Sequence, residues 1–471
     1  MIQTILTQID NVLYYPILLI ILAAGGIYFS IRTKFAQIRL FPEAWKVIME
    51  KPKDAKAVSS FQALMVSTAS RVGTGNIIGV STAICLGGPG AAFWMWIMAI
   101  LGCASAFTET TLAQIFKKRD REHGGFHGGP AHYIEYLTKN KRFLATIFTI
   151  FMLLTYGFGF NLLCSYNLQS TFMSYSFYDP KITPAIIGLI LAVAVGACIM
   201  GSGKQIVRVS EVIVPVMGLA YIAVALIIVF SHAALFPHVM KMILADAFNF
   251  RAIGSGFAGS CMVYGIKRGL YSNEAGVGSA PHAAASADVS HPCKQGLVAV
   301  VSVTIDTLFL CTATAFLGLA SGVAPTKELA GAPFVQKALS ASFGDFGPIF
   351  ITIAMVLFAF TTLIGNLYYV NIGLKYLNHN KEPGKVFMNV FHIIMSIIIF
   401  AGALAPMEVC WALADITMGG MAIINIPTCI ILGNLTFKAL KDYDRQKKAG
   451  KDPAFQAASI DMEPGSLDAW D

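Results

Sequence analysis

The chain has 471 residues, 56% of them hydrophobic and only 13% Asp, Glu, Lys or Arg, about half the ~25% charge of an ordinary soluble protein. That composition excludes an ordinary soluble enzyme. Apolar runs recur from residue 15 to about residue 435 with no polar linker between them, so the expected form is one polytopic all-α membrane domain rather than a string of soluble ones. The net charge of +8 raises nucleic-acid binding, but the basic residues sit between apolar runs in alternate loops, so no nucleic-acid partner is expected.

At ~20 residues per crossing, the runs fall near 15–32, 57–85, 90–116, 143–175, 184–200, 207–231, 252–270, 296–321, 346–374, 387–405 and 410–435. Residues 1–14 carry Asp10 and no Lys or Arg, so the first run lacks the basic flank of a cleavable signal and is expected to stay as a membrane helix. Eleven crossings put the chain ends on opposite sides. With the N-terminus outside, 28 of the 34 Lys and Arg residues fall on the inner side and five on the outer, with Arg71 inside a span. The positive-inside rule therefore orients the chain N-out and C-in.

Segment 40–51 reads as an amphipathic helix on the inner surface, or else a plain cytoplasmic linker. The tail, 436–471, is Lys-rich and then mixed, and is expected to be solvated and partly disordered. The nine cysteines lie mostly in apolar runs without CxxC or Cys/His spacing, so they read as small buried residues and not as metal ligands. His123, His127 and His132 belong to a Gly-rich turn and read as loop residues. Trp94 and Trp96 read as packing or interface residues.

Glycine interrupts two spans. The second contains Ser70-Arg71-Val72-Gly73-Thr74-Gly75-Asn76 and the seventh contains Gly254-Ser255-Gly256-Phe257-Ala258-Gly259-Ser260. With the first span set aside, these are helices 1 and 6 of a ten-helix core. Interruptions at corresponding positions of two halves point to a transporter of inverted five-helix repeats, although glycine also serves close helix packing. A helix broken in hydrocarbon must satisfy N–H groups at the start of its second half and C=O groups at the end of its first. The N–H side suits a carboxylate. The carbonyls of Ala69 and Val72 suit a hard cation such as Na+. In the ninth span, Thr361 and Thr362 place two hydroxyls side by side in an apolar helix; the ordinary fate of such hydroxyls is a bond back to the i−4 carbonyl.

Three segments carry a family resemblance: SRVGTGNIIGV at 70–80, LGGPGAAFWMW at 86–96 and GIKRGLYSNEAGVGSAP at 265–281. They resemble the signature segments of the alanine/glycine:cation symporter family, sodium-coupled amino-acid carriers of prokaryotic membranes, and the apolar plan of residues 10–440 fits that family. The resemblance implies the five-plus-five inverted repeat of the amino acid–polyamine–organocation superfold behind one extra helix. The expected divisions are then 1–56, an N-terminal helix with an amphipathic segment; 57–231, the first repeat; 232–435, the second repeat; and 436–471, a cytoplasmic tail. It further implies Na+ held by the carbonyls of Ala69, Val72 and Phe358 and the hydroxyls of Thr361 and Thr362, all neutral ligands that favour Na+ over a proton. The carboxylate of a small neutral amino acid would meet the backbone N–H groups of Gly73, Thr74, Gly75 and Asn76. Its ammonium would meet carbonyls near Gly259 and Ser260, with Tyr264 as a wall.

Two departures from the family pattern bear on the substrate. Cys164 stands where many members carry a Gln able to reach the amine, which transfers interest to Asn161 and Asn167. Asn366 stands where some members carry Trp, leaving space and a polar partner, so the expected substrates extend from alanine and glycine to glutamine. Arg71, Glu109, Asp306 and Asp415 would each cost at least ~2.5–3.5 kcal/mol facing lipid, so they are expected to face protein, as gating pairs or as a fixed ion pair near the cytoplasmic end. Lys267, Arg268 and Glu274 read as an inner gate or as positive-inside anchors. Neither HExxH nor GxSxG occurs, so no enzyme chemistry and no cofactor is expected. The full expectation is a Na+-coupled symporter in the prokaryotic inner membrane.

Overall fold

The computed structural model describes residues 2–52, 57–120, 124–199, 216, 218–224, 226, 227, 230–249 and 260–470. Their elements in chain order are α1 Gln3–Arg32, α2 Phe41–Ile48, α3 Ser60–Arg71, α4 Gly75–Gly87, α5 Ala91–Ile115, α6 Pro130–Leu137, α7 Phe143–Ser174 and α8 Thr183–Ile199. They continue as α9 Phe236–Ala247, α10 Cys261–Asn273, α11 Ala280–Ala285, α12 Pro292–Ala320, α13 Ala332–Phe343, α14 Phe346–Leu377, α15 Lys385–Leu404 and α16 Met407–Lys448. A two-residue hairpin pairs Lys118–Arg119 with Phe126–His127 before α6. Among the described residues seven helices (α1, α5, α7, α12, α14, α15 and α16) are long and apolar enough to cross a membrane, and α4 and α8 are shorter apolar helices. Most of the expected span 207–231 and all of Gly254–Gly259 lie outside the described residues.

At the centre α5 packs against α1, α10, α11, α12 and α16. Small residues permit that closeness: a Cβ on Gly102 would come within 2.9 Å of the Ala275 Cβ, and one on Gly296 within 2.4 Å of Thr111 Oγ1. Without a hydrophobic drive between helices in lipid, such close approach is what binds them. The outermost elements are α8 and α15, which pack on one another and expose Leu189, Ile190, Val193, Val390, Ile393 and Ile397. An apolar outward face is what a lipid-facing pair requires.

Two features depart from expectation. Lys267 and Arg268 do not mark an inner end. Lys267 Nζ lies 2.7 Å from Asp10 Oδ2, near the start of α1, and 5.0 Å from the Tyr14 ring centroid. Arg268 pairs with Asp415 near the start of α16 and lies 3.7 Å from the Trp411 ring centroid. Both are buried and belong to the end of the bundle opposite Arg39–Asp444 and Lys294–Asp452. Moving them from the inner to the outer side leaves 26 basic residues against seven, still the sign of N-out and C-in. The second departure is the tail, which packs onto the protein. Helix α16 runs on to Lys448, and Phe455, Ala457, Ile460 and Leu467 are buried beyond it. Those four apolar side chains are what the Lys-rich composition of the segment concealed.

Candidate cation and substrate site

The first interruption follows from one amide and one side chain. Ser59 starts α3 with a reciprocal cap, its Oγ accepting from Gln62 N at 3.1 Å while Gln62 Oε1 accepts from Ser59 N at 3.0 Å. Regular bonding ends with Val72 N donating to Thr68 O at 2.7 Å, and Val72 itself is extended. The Gly73 amide, which in a continuous helix would reach the Ala69 carbonyl, donates instead to Asn76 Oδ1 at 2.9 Å. The Asn76 amide donates to Gly73 O at 3.3 Å instead of to Val72 O. The carbonyls of Ala69 and Val72 are thereby relieved of their helical partners.

Helix α14 meets this break. A Cβ on Gly73 would lie 2.1 Å from Thr362 Oγ1, and one on Gly365 would lie 2.9 Å from Ser70 N, so only glycine at these positions lets the helices approach so closely. Thr362 Oγ1 is buried and has no hydrogen-bond partner among the described residues. Thr361 follows the ordinary pattern for a membrane threonine, its hydroxyl lying 3.0 Å from Leu357 O and 3.1 Å from Phe358 O. Asn366 is not open to a ligand: it accepts from Ser70 Oγ at 3.0 Å and donates to Asn161 Oδ1 at 2.9 Å, bolting α3, α7 and α14 together.

A second interruption among the described residues lies at 274–279, just beyond the end of α10. Glu274, Gly276 and Gly278 all have left-handed φ, of +51°, +85° and +94°, between α10 and α11. Ser260 instead caps the start of α10, accepting from Val263 N at 3.4 Å. Tyr264 lies against Gly87 at the far end of α4, about 18 Å along that helix from Gly75 at ~1.5 Å per residue. Ser260 and Tyr264 therefore do not join the first break, and Gly259 lies outside the described residues. The residues that do join it are Tyr271 and Ser272. Tyr271 OH is 3.5 Å from Thr74 Oγ1, its ring is 2.8 Å from where a Gly75 Cβ would stand, and Ser272 Oγ is 3.1 Å from Asn76 Nδ2. The signal was present in the left-handed glycines of Glu274-Ala275-Gly276-Val277-Gly278, spaced for a turn.

A carboxylate also reaches the break. Asp306 accepts from Asn76 Nδ2 at 2.8 Å, from Ser272 Oγ at 2.7 Å and from Thr307 Oγ1 at 2.8 Å. It sits in a wide helical turn, Thr304–Cys311, facing the wide turn Gly75–Gly79; such turns recur at functional positions. Glu274, in the second break, accepts from Tyr156 OH at 2.9 Å and Ser279 Oγ at 2.5 Å, and Glu109 accepts from Gly276 N at 3.2 Å and Asn425 Nδ2 at 2.7 Å. Arg71 donates to Ser302 Oγ at 3.2 Å, while its Nε and Nη2 have no partner among the described residues. No fixed ion pair holds it there.

Helix α7 supplies the remaining wall. Cys164 Sγ donates to Ala359 O at 3.5 Å, toward α14. One turn on, Asn167 Nδ2 donates to Thr74 Oγ1 at 3.0 Å, and Asn167 Oδ1 is buried without a partner. The orphaned oxygen Thr362 Oγ1 thus lies against Gly73, and that of Asn167 belongs to the amide that bonds the adjacent Thr74. A buried polar atom without a partner costs ~1–3 kcal/mol, which a bound cation or donor group would relieve.

Comparison with known proteins places the chain in a family. The solved structure of MhsT in complex with L-phenylalanine superposes with a TM-score of 0.55 over 87% of this chain and 93% of that one at 14% identity, a likeness of fold. The probable sodium/glutamine symporter GlnT of Bacillus subtilis (strain 168) is 42% identical over 98% of this chain and 94% of its own length. The amino-acid carrier protein AlsT of the same organism is 40% identical over 99% and 97%, and the sodium/alanine symporter AgcS of Methanococcus maripaludis is 33% identical over 94% and 98%. The profile of the sodium:alanine symporter family matches residues 1–457, and the chain, a transporter and not an enzyme, belongs to that family.

Proposed function

We propose that the protein carries a small neutral amino acid across the cell membrane together with Na+, by alternating access around the paired breaks, with the N-terminus outside and the C-terminus in the cytoplasm. The observation that carries this reading is the buried, unpartnered Thr362 Oγ1 against Gly73, beside carbonyls released from helical bonding. Na+ takes oxygen ligands, and the carbonyls of Ala69, Val72 and Phe358 with Thr361 and Thr362 supply neutral ones. The substrate carboxylate meets the N–H groups of Thr74 and Gly75 at the positive start of α4, the Asn76 amide being engaged by Gly73 O. Its ammonium lies toward the second break, and Asn167 Oδ1 offers a free acceptor beside Thr74. A cation at the end of α3 favours an anion at the start of α4 and the reverse, which is the reciprocity symport requires. The eleven-span, five-plus-five arrangement fits the likeness to MhsT.

Proton coupling is the second reading, and Asp306 favours it. The broken helices themselves contain no carboxylate at the first break, yet Asp306 bonds to Asn76 across it. One experiment separates the two. In proteoliposomes, Thr362→Ala is expected to raise the Na+ concentration for half-maximal uptake about tenfold, the equivalent of ~1.4 kcal/mol, while Thr362→Ser stays near the parent. An unchanged Na+ requirement in the alanine variant would remove this site. Uptake driven by a pH gradient without Na+, and abolished by Asp306→Asn, would establish the second reading. In the same vesicles, excess glutamine is expected to compete with labelled alanine.

A further inference from the structure

We propose that residues 449–470 form a latch that holds the inner end of the transport path shut and must release for it to open. The segment leaves α16 and crosses the loop between α11 and α12 and the end of α5, beside the start of α3, the half-helix leading from this face to the first break. Its anchorage begins at the loop before α12. Phe455 N donates to Ser290 O at 2.9 Å, Ser290 Oγ donates to Pro453 O at 2.8 Å, and Lys294 Nζ lies 2.8 Å from Asp452. The Phe455 ring then packs edge-on against Trp470 with centroids 5.0 Å apart.

Trp470 is the far anchor. Its indole N–H donates to Gln114 O at 2.8 Å, at the end of α5, and its ring packs, as Val58 does, against the cluster of Ala63, Ala287 and Val289, which joins the first turn of α3 to the loop after α11. The ammonium of Lys117, itself buried, lies 4.6 Å from the Trp470 ring centroid and 4.0 Å from that of Phe126. Its Nζ donates to Ala287 O at 3.0 Å. Asp468 ties the segment to the hairpin, its Oδ2 accepting from Arg119 N at 2.7 Å and its carbonyl from Arg119 Nε at 2.9 Å. The adjacent Asp120 is in turn paired with Lys375 at the end of α14, 3.1 Å away.

The consequence is mechanical. The start of α3 packs on α11, α12 and α14, so opening a path from the break to this face requires it to part from them. Trp470 sits on the contact where α3 and the 287–289 loop meet, and the segment joins that contact to α16 on one side and to the hairpin and α14 on the other. Parting the elements exposes Trp470, Phe455 and Leu467 to water and leaves the Lys117 ammonium without its ring partners. The closed state is favoured as long as the segment stays seated, and whatever lifts it shifts the population toward the open state.

This inference rests on the symport reading for its direction, and the test separates the two. A single cysteine is placed at Ser67, buried in α3 between the latch and the break, in the full-length chain, in a chain ending at Lys448, and in the double variant Trp470→Ala, Asp468→Ala. Maleimide labelling from the inner face without Na+ is expected to be at least ~3-fold faster in both altered chains, with Na+-driven uptake retained. Equal labelling rates in the full-length chain and the double variant overturn the latch, as does a lowered Tm with unchanged labelling, which makes the tail a purely structural brace. Absence of Na+-driven uptake in the full-length chain refutes the symport reading and leaves the labelling comparison intact.

Discussion

At the scale of the residue, the site depends on where a single hydroxyl or amide finds its partner. Gly73 shows this most directly. Its missing Cβ is the space that Thr362 Oγ1 occupies, 2.1 Å from where that atom would stand. Gly73→Ala is therefore expected to displace the α14 hydroxyl and weaken Na+ coupling at least as much as Thr362→Ala, about tenfold or more in half-saturation. Unchanged Na+ dependence in this variant would mean that the contact carries no ligand. Residue identity alone made Thr361 and Thr362 equivalent candidates. The structure distinguishes them, because one hydroxyl is turned back on its own helix and the other has no partner. Asn366 and Asn167 exchanged roles for the same reason: the first is spent between Ser70 and Asn161, while the second keeps a free oxygen beside Thr74. Nothing in the chain order of an asparagine says which neighbour its amide will find.

At the scale of the element, the first break was legible because Gly73 and Gly75 interrupt an apolar run at its middle. The second is expected at Gly254–Ser260, of which 254–259 lie outside the described residues, whereas the described turn of left-handed glycines is 274–279, directly after the Tyr271 and Ser272 that meet the first break. Glycine marks both packing surfaces and turns, and only a positive φ separates the two uses. Gly278 combines that φ of +94° with a Cβ position 2.9 Å from Phe148 and Pro130, whereas Gly344, at +57°, has nothing within 4 Å. Strain of this kind costs ~1–3 kcal/mol. Gly278→Ala is accordingly expected to lower Tm and abolish uptake, and Gly344→Ala to leave uptake near the parent. Equal behaviour of the two would show that the 274–279 turn tolerates the added atom and is not held as described. The apolar periodicity that located the long helices carried no information about which of them touch, so Asp306 stayed unconnected to Asn76 until α12 and α4 were seen to face one another.

At the scale of the whole molecule, the orientation rests on charge. By the expected spans, basic residues divide 26 to seven across the two sides once Lys267 and Arg268 are moved to the side of their partners Asp10 and Asp415. A membrane-impermeant thiol reagent applied to whole cells is expected to label Thr7→Cys and not Lys448→Cys, both on exposed positions; the opposite pattern would invert the topology. Composition and motif alone determined that this is a helical membrane carrier of a sodium-coupled family, because hydrocarbon length and the scarcity of charge impose themselves on every span regardless of how spans pack. Tertiary structure alone decided which oxygens near the break are free among the described residues, which glycines turn the chain, and that the tail returns to pack onto the protein beyond α16. Those outcomes depend on atoms hundreds of residues apart meeting within about 3 Å, a distance at which hydrogen bonds and ion contacts form and which the order of residues along the chain does not encode.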